Sequence, residues 1–231
     1  GAGGEGAPLT PVFHNKVFGN DRKRKAIVNI GGITNITALN YPELIGFDSG
    51  PGNCLMDCWS RIHNVGNYDD KGSWASSGTI NPFLLEAMMG DEYFLRKYPK
   101  STGPDYFNHE WINKNLFKLS KEIPAEDVQA TLVQVTVVSL IESINILNLS
   151  NENIYLCGGG VHNDFLYSEI NKQSKARVST TLELGVDPDY VEAICFGWLA
   201  KQRIESKSFN LGEITGSKGE VYLGRIYEPS K

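Results

Sequence analysis

The sequence is poor in the residues that staple or span. Its 231 residues include four cysteines (Cys54, Cys58, Cys157 and Cys195), too few for the disulfide framework of a small secreted domain. A chain of this length buries about 70% of its unfolded surface and needs no staple, so the cysteines read as reduced thiols of a cytosolic protein. No apolar run reaches the roughly 18 residues of a membrane span; the best stretch, Thr131 to Leu149, is interrupted by Gln134, Glu142 and Asn145. No signal peptide is read at the start. Neither sign of charge dominates: 22 Lys and Arg against 27 Asp and Glu leave −5, which argues against nonspecific nucleic-acid binding.

Several catalytic and binding motifs are also missing. Gly212 to Lys218 is the nearest approach to Gly-x-x-x-x-Gly-Lys-Ser/Thr, yet it puts Ser217 before the lysine. Gly158 to Asn163 does not complete Gly-x-Gly-x-x-Gly, because Asn163 stands where the last glycine belongs. There is no His-Glu-x-x-His, and Cys54 and Cys58 lack a second ligand pair, so no structural zinc or other metal site is expected. They read as small core residues on one helix face. Ser49 lies outside any Gly-x-Ser-x-Gly context and has no identifiable base.

What is present is an α/β pattern. Lys25 to Leu39 (KAIVNIGGITNITAL) sets two β-branched runs around Gly31-Gly32, a hairpin signal with a two-residue turn. A third strand is expected over Leu44 to Asp48. After Gly50-Pro51-Gly52 the period becomes helical through Leu55, Cys58, Trp59 and Ile62. Short helices and loops follow from 67 to 118. Pro124 opens a long helix with one apolar face through Val133, Val137, Leu140, Ile141, Ile144 and Leu147. Asn153 to Cys157 and Val178 to Thr181 read as strands, Asn163 or Asp164 as a helix cap, and Asp187-Pro188 as a further helix start. The segment Ala193 to Ala200 (AICFGWLA) is apolar on every side, which predicts a helix buried all round.

Four stretches could carry chemistry. Gly46 to Asn53 brings a carboxylate, Asp48, to the carboxyl end of a strand, then a Gly-Pro-Gly turn and a helix start. Ligands of open α/β sheets sit at such ends, and the helix N–H groups suit an anion. Asp48 is thus placed as a general base; an Asx-turn, with Asp48 accepting its own loop's N–H groups, accounts for it equally well. Gly31, Gly32, Thr34 and Asn35 form either a second phosphate-approach loop or an ordinary hairpin turn. Gly158, Gly159 and Gly160 weaken a strand-to-helix junction unless something packs on bare backbone, and a nucleotide base or ribose is a natural occupant. His162 beside them stays unassigned. Glu192 is stabilised by a helix N-terminus, or faces a polar cavity and a sugar.

Together Asn29 to Ile36, Gly46 to Asn53, Pro99 to Gly103, Cys157 to Asn163 and Glu192-Ala193 resemble the anhydro-N-acetylmuramic acid kinase family. The match runs from Gly3 to the Thr215-Gly216 region. The resemblance implies a sugar kinase of the actin/hexokinase/Hsp70 superfamily. Residues 1–24 would be an interior glycine-rich loop and linker following a missing N-terminal lobe that bears the first phosphate loop. Residues 25–231 would be a C-terminal RNase H-like (actin-like ATPase) lobe, its mixed sheet having three antiparallel strands and then parallel ones, with a helical, loop-rich insertion around 67–120.

The resemblance further implies ATP and Mg²⁺, hydrolytic opening of the 1,6-anhydro ring, and phosphorylation of O6 to N-acetylmuramate 6-phosphate. Asp48 would be the base. Gly31, Gly32, Thr34 and Asn35 would face the phosphates, and Gly158, Gly159, Gly160 and Asn163 the adenosine. Gly50, Gly52, Asn53 and Glu192 would hold the sugar. The setting is cytoplasmic peptidoglycan recycling, with a homodimer allowed and no nucleic-acid or membrane partner. The rival reading is a noncatalytic or chaperone-like nucleotide module on the same fold, since fold does not fix function; a Ser49 hydrolase is a third.

Overall fold

The computed structural model describes residues 3–4 and 6–227. Residues 1, 2, 5 and 228–231, which fall in the expected segments 1–24 and 25–231, lie outside the described residues. The chain begins with α1 (Thr10–Phe18), in a stretch the sequence suggested to be loop and linker. Phe13 and Phe18 explain the helix: both are buried against the sheet, so α1 is part of the core.

Three strands follow, β1 (Lys25–Ile30), β2 (Ile33–Leu39) and β3 (Ile45–Pro51). They form one sheet with β4 (Asn153–Cys157) and β5 (Arg177–Thr180), in the order β3-β2-β1-β4-β5. β2 is antiparallel to β1 and β3, whereas β4 is parallel to β1 and β5 to β4. This is the expected mixed sheet, and it turns the carboxyl ends of β1, β3, β4 and β5 to one edge.

Strand alternation builds two cores. Ala26, Val28 and Ile30 face one layer and Ile27 the other, so β1 is buried throughout; each such side chain contributes about 1.5–3 kcal/mol. The first layer contains α2 (Cys54–Ile62), α3 (Ser73–Ser77), α4 (Pro82–Met89), α5 (Glu92–Leu95), α6 (His109–Leu116), α7 (Ala125–Ile146) and α8 (Asp164–Gln173). The second contains α1, α9 (Val191–Ile204) and α10 (Gly212–Thr215). A two-stranded antiparallel sheet of β6 (Ser208–Asn210) and β7 (Glu220–Tyr222) lies beyond it.

Five expectations change. The hairpin pairs Ile30 with Thr34, so three residues rather than two make its turn, because Ile33 pairs outward with Pro51. Strand β3 runs through Gly50 to Pro51, and Ser49 is bulged between the pairs Asn35–Asp48 and Thr34–Gly50. Helix α7 is long and apolar enough to cross a membrane but is buried nearly all round, as the spine of the first core. Helix α9 starts three residues after Pro188, because the Asp187 carboxylate accepts the Asp189 N–H in an Asx turn. Nor is α9 buried all round: Val191, Cys195 and Leu199 face the core, while Ile194 and Phe196 are exposed.

Candidate active site

The carboxyl edge of the sheet is organised by the Gly31-Gly32 turn. Helix N-termini leave N–H groups without intrahelical partners, and three at the entry to α2, those of Gly52, Asn53 and Cys54, are already engaged. Gly52 and Cys54 donate to the Gly32 carbonyl at 2.9 and 3.1 Å, and Asn53 donates to the Gly31 carbonyl at 2.8 Å. The expectation that these groups meet a phosphate is corrected by this docking of turn against helix. Thr34 is fully buried, with its hydroxyl donating to the Pro51 carbonyl, so it braces the turn from inside. Gly32 stays exposed.

Gly50 and Gly52, expected on the sugar, are buried. A Cβ at Gly50 would meet Phe94 at 2.9 Å, and one at Gly52 would meet the Gly31 carbonyl oxygen at 2.3 Å. Close packing accounts for both glycines. Asn35 is half-buried and accepts from the Thr10 hydroxyl at 3.3 Å.

Asp48 is 5% exposed rather than open to a cleft. Two of its partners come from outside its own turn: Oδ2 accepts the Ser101 hydroxyl at 2.9 Å and the Thr102 N–H at 3.0 Å. Its main chain is held by the same excursion, N–H to the Lys100 carbonyl at 3.1 Å and carbonyl from the Tyr93 hydroxyl at 2.7 Å. Lys100 is itself buried, its ammonium 4.6 Å from the Tyr93 ring centroid, and burial pulls its pKa below the usual lysine range. Asp48 lies on the α1 face of the sheet, since it pairs with Asn35, and a Cβ on Gly46 of the same strand would meet Pro11.

A cavity of about 380 Å³ opens beside the turn, lined by Asn53, Met56, Asp57, Tyr68, Asp69, Asp70, Lys71, Gly159, His162 and Asn163. Of the three glycines, Gly159 alone is exposed, and a Cβ there would find only Asn53 Nδ2, at 3.9 Å. Gly158 (φ +81°) and Gly160 owe their identity to packing: a Cβ would meet Asn29 Oδ1 or the Ile30 side chain at 2.3 Å. Asn163 caps α8, accepting from the Leu166 N–H at 2.9 Å, and still lines the cavity. Asn53, expected with the sugar, stands instead with Gly159 and Asn163. Burial raises the Asp57 pKa to about 6, against the pull of Arg61. Asp48 does not line this cavity.

Glu192, expected in a polar cavity, is exposed on the first turn of α9, close enough to Cys157 and Cys195 to disfavour their thiolates. Burial, the larger effect, pushes both thiols up to about 12, which removes them as nucleophiles. His162, which also lines the cavity, pairs with Asp189 at 2.7 Å. Sequence reading singled out Pro99 to Gly103 but missed the direct grip of Ser101 and Thr102 on Asp48, and it missed the lining residues Asp57, Tyr68, Asp70 and Lys71, which carry no local motif.

A mixed 3-2-1-4-5 sheet with helices on both faces, and a cavity at the carboxyl edge beside a glycine turn, defines an RNase H-like, actin-like fold. A solved structure of the activator of 2-hydroxyisocaproyl-CoA dehydratase from Clostridium difficile, with bound ADPNP, shares this fold at a TM-score of 0.51 and 13% identity, covering 87% of this chain and 69% of that one. Residues 1–229 match the sequence profile of anhydro-N-acetylmuramic acid kinase. Proteins of that name from Coxiella burnetii and Pseudomonas syringae pv. tomato are 43% and 41% identical over 97% and 98% of this chain. One from Photobacterium profundum is 44% identical over 99%. The chain belongs to the anhydro-N-acetylmuramic acid kinase family. It spans 61% to 63% of the length of these relatives.

Proposed function

We propose that the protein carrying this chain is an ATP-dependent kinase that opens the 1,6-anhydro ring of anhydro-N-acetylmuramic acid and phosphorylates O6. Asp48 takes a proton from the water that attacks the anomeric carbon. The C1–O6 bond breaks, the water oxygen stays on C1, and O6 becomes the acceptor of the phosphoryl group. Bound ATP supplies that group, with Mg²⁺ offsetting its charge. Glu192, on the same side of the sheet as Asp48, contacts the sugar from α9.

The residues present fit a nucleoside. Gly159 leaves bare backbone beside Asn53 and Asn163, and a cavity near 400 Å³ is in the range that encloses small ligands. Three aspartates line it against one lysine, so uncharged base and ribose suit the interior, and the phosphates belong outside, toward Gly31 and Gly32. Among the described residues no group of three His, Cys, Asp or Glu side chains could hold a metal; Mg²⁺ is commonly held through substrate phosphates and one or two carboxylates, and the phosphates would be its main ligands here. In this reading residues 25–231 are a C-terminal lobe, and the first phosphate loop lies in a part of the protein outside this chain. We place the protein in the cytoplasm, in peptidoglycan recycling, with a homodimer allowed.

Family membership over residues 1–229 is the observation that carries the reading, and it favours the kinase over a chaperone-like module. The test is ATP turnover by the full-length protein in ¹⁸O-water. Stimulation by the anhydro-sugar, with one heavy oxygen on C1 of a 6-phosphorylated product, is expected. Stimulation by unfolded peptide instead would favour the rival.

A further inference from the structure

We infer that Ser101 is a positioning residue that keeps Asp48 ionised and aimed, a role that rests on Asp48 being the base. Burial alone favours the neutral acid, while hydrogen bonds to the carboxylate favour the charged one. The Ser101 hydroxyl and Thr102 N–H both converge on Oδ2, at 2.9 and 3.0 Å. The excursion that delivers them is clamped to β3: Tyr98 stacks on Phe47 at 5.2 Å and 10°, and the Lys100 carbonyl accepts the Asp48 N–H, while the Tyr93 hydroxyl of α5 donates to the Asp48 carbonyl. The stretch Pro99 to Gly103, one of those that carry the family resemblance, therefore acts at least in part through the carboxylate.

The ionisable groups around Asp48 come from several elements. Lys100 lies in the excursion itself, interacting with Glu142 of α7 and with Arg96. Tyr93 belongs to α5, which packs on β3, while Glu92 of α5 and Glu213 of α10 are exposed. The Ser101 hydroxyl bonds Oδ2 while carrying no charge, so its removal changes the carboxylate's solvation and leaves the local charge intact.

The experiment compares Ser101→Ala, Ser101→Thr and Asp48→Asn in the full-length protein. In Ser101→Ala the acid limb of the rate–pH profile should move up by about one pH unit, a tenfold loss of rate on its acid side. KM for sugar and ATP should stay within about twofold, and Ser101→Thr should restore the limb. A ¹³C NMR titration of the Asp48 carboxyl in this 231-residue chain should move by the same amount. An unmoved limb together with an unmoved titration overturns the inference, as does a raised KM with the limb in place, which would make Ser101 a sugar contact. Normal turnover in Asp48→Asn would remove the base reading instead; the NMR titration then decides the role of Ser101 alone.

Discussion

A Cβ placed on Gly52 would stand 2.3 Å from the carbonyl oxygen of Gly31. That oxygen cannot move away, because it accepts the Asn53 N–H at 2.8 Å. Gly52→Ala should therefore destabilise the protein by about 1–3 kcal/mol, the usual cost of overpacking. Thermal denaturation checks this; an unchanged Tm would mean that the turn and α2 are not held together as described.

Asp48→Asn keeps the size of the side chain and one acceptor for Ser101 but cannot take a proton. Loss of a general base costs about 10²–10⁴-fold in rate. Because Asp48 is buried and hydrogen-bonded, a stability loss of about 1 kcal/mol should accompany it. ATP affinity should hold, since the cavity beside Gly159 does not include this residue. Steady-state kinetics with the anhydro-sugar and nucleotide titration together test the prediction, and wild-type turnover would defeat it.

Gly159 and Gly160 should respond oppositely to alanine. At Gly159 a methyl meets only ordinary contact, so folding should be normal while nucleotide affinity falls several-fold. At Gly160 it would collide with Ile30 at 2.3 Å, so stability should fall. Paired melting curves and nucleotide titrations separate the two; a Gly159→Ala variant with unchanged nucleotide affinity would argue against a nucleoside in this cavity.

Asp57 provides a pH signature. Burial raises its pKa from 3.8 to about 6 in the fold. A raised carboxyl binds its proton more tightly when folded, so its contribution to stability is full below about pH 4 and is lost as pH rises through 6. Asp57→Asn should flatten that part of the profile. Urea denaturation at pH 4, 5, 6 and 7 measures the difference, and parallel profiles for the two proteins would refute it.

The sheet was legible because its strands obey local rules. β-branched runs around Gly31-Gly32 predicted β1 and β2, and the apolar run Asn153–Cys157 matches β4. Asn163 was recognisable as a cap because capping is a three-residue affair. Helix α9 was misjudged for the converse reason. Its apolar composition does not reveal which faces the fold covers, and Ile194 and Phe196 lie outside. Asp48 stood out by its place near a strand end, but Ser101 and Thr102 reach it from 53 and 54 residues away. Gly158 and Gly160 announced a close approach correctly; what approaches is the protein's own Asn29 and Ile30.

The bulge at Ser49 acts as a phase shifter for the edge strand. Phe47 and Gly50, three residues apart, would point to opposite faces of a regular strand. Here both face the helical layer, Phe47 in its core and Gly50 against Phe94 and Ser139. Upstream of the extra residue the strand is in phase with α1, which sets Asp48 on its side of the sheet; downstream it is in phase with α5 and α7. Deleting this single residue would leave every neighbouring side chain chemically unchanged while exchanging inside for outside on one half of β3. The spacing between the carboxylate and the glycine turn is therefore constrained as well as their identity.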